Sequence, residues 1–307
     1  MRIYINSANE NWVVDRFINE WNQFNYKKSR HFFFKDQIIW LIAPWAWKKI
    51  PNYFLKVNKV VCTIHHIDEE KFDYKLQSEF NERDQYVDCY HVISDKTLNQ
   101  VKKLTNKPIA KIPFWVNQNI WFPISTKNEL KQKYGFDKET YLIGSFQRDT
   151  EGKDLISPKL SKGPDQFLKI AEYLNNKYNN LEVVLSGKRR NYLIKNLKSM
   201  KIPYKYFEMA SFTDLNELYN LLDLYIVSSR YEGGPQSILE CAITKTPIIS
   251  TDVGIASEIL SRKSIYNMDN FNEATPDIVK AYENVQKFKI PFGFENFNKL
   301  FEELSES

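Results

Sequence analysis

Short apolar runs at Tyr141–Ser145, Leu181–Ser186, Tyr204–Phe207, Leu224–Ser228 and Pro247–Thr251 alternate with longer amphipathic stretches. Those stretches are Pro164–Tyr178, Asn191–Met200, Leu215–Leu222 and Pro235–Thr244. A strand buried on both faces reads as a continuous apolar run, and a parallel neighbour is reached only through a crossover, usually helical. The alternation therefore predicts a parallel sheet covered by helices. An earlier series reads the same way, with strands at Arg2–Asn6, His31–Phe34, Ile38–Ala43, Lys59–Ile64, Cys89–Ser94 and Ala110–Pro113, and helices such as Val13–Phe24 and Asp95–Leu104. The expectation is an α/β chain of two Rossmann-like, doubly wound domains, residues 1–122 and 123–290, joined near Trp115–Lys127. The closing residues 291–307 read as an amphipathic helix, with Phe294, Phe297, Phe301 and Leu304 at helical spacing. Two such domains present the carboxyl ends of their strands to one cleft, where ligands of this fold class bind.

Composition narrows the class. The chain has 307 residues, 43% of them apolar, enough for two cores. The longest apolar run, "IIWLIAPWAW" (Ile38 to Trp47), is about half the length a membrane span needs. The opening "MRIYINSANENW" turns polar too early for a secretory signal. Cys62, Cys89 and Cys241 lie in apolar contexts without regular spacing, which predicts reduced core thiols and a cytoplasmic address. Residues 1–122 carry 18 Lys and Arg against 13 Asp and Glu, and the remainder balances, so the whole net charge of +5 belongs to the first domain. That asymmetry suits an anionic membrane surface or a charged acceptor. Without a Lys and Arg stripe or a recognisable module, nucleic acid is not an expected partner.

The stretch "SSRYEGGPQSILE" (Ser228 to Glu240) follows the apolar strand and so lies at its carboxyl end. Gly233 and Gly234 bare the backbone, and Pro235 suits the first turn of the next helix. A helix start behind glycines offers free N–H groups and a positive dipole end to an anion. Ile238, Leu239, Ala242 and Ile243 form the apolar stripe of that helix, with Glu240 to one side. Glu232 and Glu240 are then placed to bracket a ligand with hydroxyl groups, such as a sugar or ribose. The bland alternative is a surface turn followed by a solvated glutamate.

The longer stretch "LYNLLDLYIVSSRYEGGPQSILECAITKTPIISTDVGIASEIL" closely resembles the donor-binding segment of glycosyltransferase family 4, a family of retaining GT-B enzymes. Glu232 and Glu240 match its Glu-x7-Glu motif, and Asp223, Ser228, Ala242, Pro247, Asp252, Gly254 and Glu258 fall where its pattern has similar residues. "IPFWVNQNIWFP" resembles the segment ending the family's first domain, with Val116 and Asn117 near its Gly-Val-Asp. "LIGSFQRDTEG" and "SKGPDQFLKIAEYL" resemble the stretch bearing its phosphate-binding Arg and Lys. The resemblance covers the whole second domain and the first only in outline. It implies the GT-B fold, with the closing helix packing back on the N-terminal domain. It also implies that the N-terminal domain binds the acceptor and the C-terminal one a nucleotide sugar.

Residue by residue, the resemblance gives Glu232 the transferred sugar's hydroxyls, Glu240 the ribose, and Arg148 and Lys162 the diphosphate. The chain departs from the family in the spacing of Arg148 and Lys162, which are separated by an insertion, Asp149–Leu160, read as a loop over the donor. "LSGKRRNYL" adds Gly187 and Arg189 or Arg190 as candidates to line the base or phosphates. In "VVCTIHHID" the first histidine, His65, matches a family histidine that points at the reacting sugar carbon, with His66 beside it on the acceptor side. His65, His66 and Asp68 as metal ligands, or a histidine satisfied by backbone, stay open at this point. No Asp-x-Asp pair occurs in the chain, so neither metal nor other cofactor is expected beyond the donor substrate. Trp45 and Trp47, beside Lys48 and Lys49, are candidates for an acceptor wall, for contact with an anionic bilayer, or for core.

The expected function is retaining transfer of a glycosyl unit from a nucleoside diphosphate to a hydroxyl of a glycan or lipid-linked acceptor. Among short relatives the setting is bacterial surface polysaccharide or lipopolysaccharide assembly, at the cytoplasmic face of the membrane. Three rivals stand beside it: a hydrolase using Glu232 and Glu240, a nucleotide-sugar epimerase on the same fold, and a sugar-binding protein without catalysis.

Overall fold

The computed structural model describes residues 1–7, 9–10, 13–152 and 155–306. The chain divides into two compact units, Met1–Trp115 with Ile290–Ser307, and Val116–Lys289. The division falls at the start of the expected linker rather than at Phe122. Val116 already belongs with the second unit, bridging to Lys289 and donating its N–H to the Phe288 carbonyl at 2.9 Å. Trp121 then packs edge-on against Tyr219, and the Phe122 and Ile124 amides donate to the side chains of Asn216 and Asn220.

In the first unit the strands are β1 (Ile3–Ile5), β2 (Ser29–Arg30), β3 (Ile38–Leu41), β4 (Lys59–Ile64), β5 (Cys89–Val92) and β6 (Ile109–Lys111). They form one sheet in the order β2-β1-β3-β4-β5-β6, every pair parallel. The expected strand His31–Phe34 does not form. Its place is taken by the two-residue edge strand β2, which pairs with Ile3 and Tyr4. Phe33 packs on Tyr4 and Phe54, while Phe32 and Phe34 point to solvent.

Helix Val13–Phe24 buries Val14, Phe17, Ile18 and Trp21, the 3.6-residue stripe of an amphipathic helix. Trp21 meets Trp40 of β3 at 5.5 Å and Phe294 and Phe301 at 5.4 and 5.5 Å. The helix Glu295–Glu306 buries Phe297, Leu300 and Phe301 in this aromatic core, which is why the chain's last segment counts with its first unit. Leu300 takes the place expected for Leu304, which is half-buried.

In the second unit the strands are β7 (Tyr141–Ser145), β8 (Leu181–Ser186), β9 (Tyr204–Phe207), β10 (Leu224–Val227), β11 (Ile248–Thr251) and β12 (Ile265–Tyr266). Their order is β12-β11-β10-β7-β8-β9, again all parallel. The chain winds outward from β7 to β9, then returns to the other side of β7 with β10. The carboxyl ends of β7 and β10 therefore diverge into loops that leave in opposite senses, the crevice where open α/β sheets bind ligands. Helices Pro164–Lys177 and Asn191–Ser199 bury Phe167, Ile170, Ala171, Leu193 and Leu197 against one face of this sheet.

Candidate functional site

Three loops of the second unit meet where β7 and β10 end. The first leaves β7 with Phe146, Gln147 and Arg148. The second is the 3-10 turn Leu160–Lys162, which leads through Gly163 into helix Pro164–Lys177. The third leaves β10 with Ser228 to Gly234. Gly163 joins the last two. Its φ is +59°, and a Cβ there would lie 1.7 Å from the Ser228 carbonyl oxygen, so only glycine allows this approach. Around it, the Arg230 and Tyr231 amides donate to the Ser161 carbonyl, and Gln166 Nε2 donates to the Ser228 carbonyl at 2.7 Å. Arg230 clamps Asp165 through both guanidinium nitrogens at 2.8 and 2.6 Å.

This cradle brings together two residues 70 positions apart: Lys162 forms an ion pair with Glu232. Ser229 Oγ lies 3.1 Å from both the Glu232 carboxylate and Gln147 Oε1, so its one proton serves either. Gln147 Nε2 donates to the Lys162 carbonyl at 3.0 Å. Gly233 is backed by Gly254, whose φ is +56° and whose missing Cβ would lie 2.6 Å from the Gly233 oxygen and 2.9 Å from Pro235 Cδ. Pro235 occupies the cap position before helix Gln236–Thr244 rather than its first turn.

The insertion returns to this place instead of hanging free. Thr150 bridges antiparallel to Pro158, and the Glu151 amide donates to the Ser157 carbonyl at 3.0 Å. The Lys159 amide donates to the Asp149 carbonyl at 2.8 Å, and the Lys162 amide to the Lys159 carbonyl at 2.8 Å. Lys153 and Asp154, in the middle of the insertion, lie outside the described residues. The fold thereby adds Lys159, which motif reading missed; its three-residue spacing from Lys162 was the available signal. Burial, then the charges of Lys162 and Arg148, push the Lys159 amine below its ordinary value, with Glu232 and Glu151 opposing. Burial and the Arg189 charge likewise lower Arg148, whose Nε donates to the Thr150 carbonyl at 2.7 Å. Cations that depress one another in this way gain from an arriving anion, which removes the repulsion.

Adjacent arginines part company. Arg189 is exposed and left-handed at φ 59°, and its carbonyl accepts from the Asp149 amide and Thr150 Oγ1. Arg190 is 0% exposed, donates to the Ser145 carbonyl at 2.8 Å and lies 3.5 Å from the Asp149 carboxylate. Burial raises Asp149 to about 6 against the pull of Arg190. Arg190 is thus part of the core that anchors the insertion, leaving Arg189 as the outward candidate. Gly187, left-handed at φ 87°, offers its carbonyl to the Tyr206 hydroxyl at 2.9 Å.

Glu240 is not a solvated side chain. Helix Gln236–Thr244 is buried continuously from Ile238 to Thr244, and Glu240 is 7% exposed. The Tyr219 hydroxyl donates to Glu240 Oε2 at 2.8 Å, and burial with the neighbouring Glu240 charge holds that phenol well above its usual range. No sequence signal linked Tyr219 to Glu240, because the pair spans two helices. A carboxylate so placed accepts hydrogen bonds but is poorly suited to attack or to donate protons.

In the first unit, His65 follows the end of β4. Its Nε2 donates to the Ile42 carbonyl at 2.8 Å, which leaves Nδ1 as the acceptor in the neutral ring. Burial lowers its pKa to about 4. The ring stacks on Phe114 at 5.9 Å and lies 5.9 Å from Trp45. His66 is exposed. Trp45 is 53% exposed, whereas Trp47 is 4% exposed in the core against Tyr86. Trp47 therefore cannot line an open wall. The 3-10 turn Pro44–Lys49 brings the two indoles to opposite environments.

Residues 127–287 match the family model described as glycosyl transferases group 1. The chain is 27% identical over 201 residues to mannosylfructose-phosphate synthase of Agrobacterium fabrum, 59% of this chain and 43% of that protein, so it spans less than half of that relative. Among solved structures, Anabaena Alr3699/HepE in complex with UDP and glucose superposes with a TM-score of 0.73 at 11% identity over 99% of each chain. Sucrose-phosphate synthase from Thermosynechococcus elongatus superposes with a TM-score of 0.70 at 12% identity, over 95% of this chain and 78% of that one. With its two Rossmann-like units, each built on a parallel six-stranded sheet, the chain has the GT-B fold.

Proposed function

The chain belongs to the glycosyl transferases group 1 family, and from that membership we propose that it transfers a sugar from a nucleoside diphosphate to a hydroxyl of a glycan or lipid-linked acceptor, with retention at the anomeric carbon. The observation that carries this reading is the folding of the connection after β7 on itself, which places Arg148, Lys159 and Lys162 on one closed loop, with Glu232 of the loop after β10 held against Lys162. In a transfer, the bond from the anomeric carbon to the phosphate oxygen breaks and a bond to the acceptor oxygen forms on the same face. The acceptor proton passes to the departing phosphate oxygen, so no protein base is needed. Negative charge gathers on the diphosphate, and fixed cations opposing it are the largest source of rate in such sites.

Within this scheme Arg148, Lys159, Lys162 and the amides of Gly233 and Gly234 hold the diphosphate, with Gly187 and Arg189 at its margin. Glu232 exchanges its partner Lys162 for the sugar's hydroxyls, and Glu240 takes the ribose. By the family resemblance His65, whose Nδ1 is left as an acceptor, is assigned to the transferred sugar, and Trp45 and His66 to the acceptor. The cation cluster supports work without a metal ion. The UDP-glucose complex described for the Anabaena neighbour supports a nucleoside diphosphate sugar as the donor. Bacterial surface polysaccharide or lipopolysaccharide assembly remains the proposed setting.

Engagement of Glu240 by Tyr219 weighs against a hydrolase with Glu232 and Glu240 as its acid and nucleophile. The deciding experiment incubates the protein with labelled nucleotide sugars, with and without lipid and glycan acceptors. Label moving to the acceptor with retained configuration supports the proposal. Epimer exchange without an acceptor, or binding without turnover, overturns it in favour of the epimerase or the binding protein.

A further inference from the structure

Residues 24–59 hold eight Lys and Arg against a single acid, Asp36, more than the whole net charge of the chain. The same segment exposes Phe24, Tyr26, Phe32, Phe34, Trp45 and Tyr53, with Phe32 72% and Tyr26 67% exposed. Scattered apolar residues on a surface mean little, but aromatic rings interleaved with cations over one short segment are a pattern that needs a partner.

The fold gathers the middle of this segment, while Phe24 packs on Phe294 and Trp45 lies beside His65. Asn58 Nδ2 donates to the carbonyls of Phe34 and Phe54 at 2.7 and 2.8 Å, tying the chain after β2 to helix Asn52–Lys56. Phe33 packs on Phe54 at 4.7 Å, and the Lys35 ammonium lies 5.5 Å from the Tyr53 ring. Arg30, His31 and Lys49 line one open cavity of about 340 Å³ at the carboxyl ends of β1 and β3, without a carboxylate among its described lining residues. Lys28 and Lys48 are paired with Glu302 and Glu82, while Lys27, Lys35, Lys49 and Lys56 are exposed and form no ion pair among the described residues.

We propose that the part of the first unit formed by Arg30 to Lys35, Lys49 and helix Asn52–Lys56 docks on the surface of an anionic lipid bilayer, with the aromatic rings at headgroup depth and the lysines on lipid phosphates. Tryptophan, tyrosine and the long lysine stem suit that layer, where one end of a side chain is apolar and the other wet. No helix among the described residues is long and apolar enough to cross a membrane, and the proposed contact is with the bilayer surface. Each Lys or Arg near such a surface strengthens binding by about fivefold, which makes several lysines together sufficient for reversible attachment. The docking surface lies within the first unit and does not depend on which reaction the second unit supports.

The test is co-sedimentation of the full chain with vesicles of phosphatidylcholine alone and of equal parts phosphatidylcholine and phosphatidylglycerol. Binding is expected to the mixed vesicles only and to fall as salt rises. Lys35→Glu and Lys49→Glu should each weaken it by about fivefold or more. The Phe32→Ser, Phe34→Ser double variant should weaken it while leaving the thermal midpoint near wild type, since both side chains already face solvent. Lys195→Glu with Lys198→Glu, in the second unit, should leave vesicle binding unchanged. Equal binding to neutral vesicles, no binding to either, or charge-reversed variants that sediment like wild type would overturn the proposal. Retention on immobilised heparin without vesicle binding would overturn it too, pointing to a soluble polyanion.

Discussion

One added methyl group at Gly163 separates two explanations of how the cation cradle is built. Gly163 combines a left-handed backbone, φ +59° and ψ 43°, with a Cβ position 1.7 Å from the Ser228 oxygen. For Gly163→Ala the backbone alone costs about 1 kcal/mol. Relieving the contact requires the 3-10 turn carrying Lys162 to retreat from β10 by more than 1 Å, roughly 2 kcal/mol on the scale of core overpacking. A loss of about 3 kcal/mol lowers the melting midpoint of a unit this size by about 6–12 °C. An ångström of displacement also separates Lys162 from Glu232 and costs about a hundredfold in turnover. Gly163→Asn gives the discriminating comparison, because asparagine tolerates the left-handed region but carries the same Cβ. Differential scanning calorimetry and titration with uridine diphosphate should show both variants impaired, the alanine variant by about 3 kcal/mol and the asparagine variant by about 2 kcal/mol. An asparagine variant close to wild type in midpoint and affinity would refute the close approach as the reason for glycine.

Further outcomes are expected at the cation cradle, at Glu240 and at His65. Lys162→Ala should reduce transfer by about two orders of magnitude, and Lys159→Met should weaken diphosphate binding; steady-state rates and calorimetric titration within a factor of two of wild type would remove both from the site. Glu240→Gln should weaken nucleotide binding by about tenfold. Tyr219→Phe should lower stability through the lost hydrogen bond at 2.8 Å while affecting affinity less, and equal affinity losses would deny Glu240 a direct ribose contact. His65 should titrate near 4 in an NMR pH series rather than near 6.5. Because its folded value is depressed, its contribution to stability is complete above about 6.5 and is lost as pH falls toward 4, and a midpoint near neutrality would contradict the half-buried, Ile42-bonded ring.

Much of the second unit was legible because its signals are local. Continuous apolar runs forced buried strands, amphipathic stripes forced the crossover helices, and Gly-Gly-Pro marked a bare turn before a helix. The run His31–Phe34 failed for a related reason: apolar composition alone cannot say whether a neighbour is available. The edge strand ended at Arg30, leaving Phe32 and Phe34 in solvent.

By itself, then, the sequence determined the class of fold, the strand-end loop bearing Glu232, and the residue types near it. These follow from periodicity and turn chemistry, which act over a few residues. Tertiary structure alone decided which neighbours serve. It put Trp47 in the core and Trp45 outside, and buried Arg190 against Asp149 while leaving Arg189 exposed. It tied the Lys159 amide to the Asp149 carbonyl, closing the insertion on itself, and closed Tyr219 onto Glu240. Each of those choices depends on strand order and on how far a turn rotates the backbone between successive residues. Neither quantity is encoded in residue type, because both are settled only when distant segments compete for the same buried space.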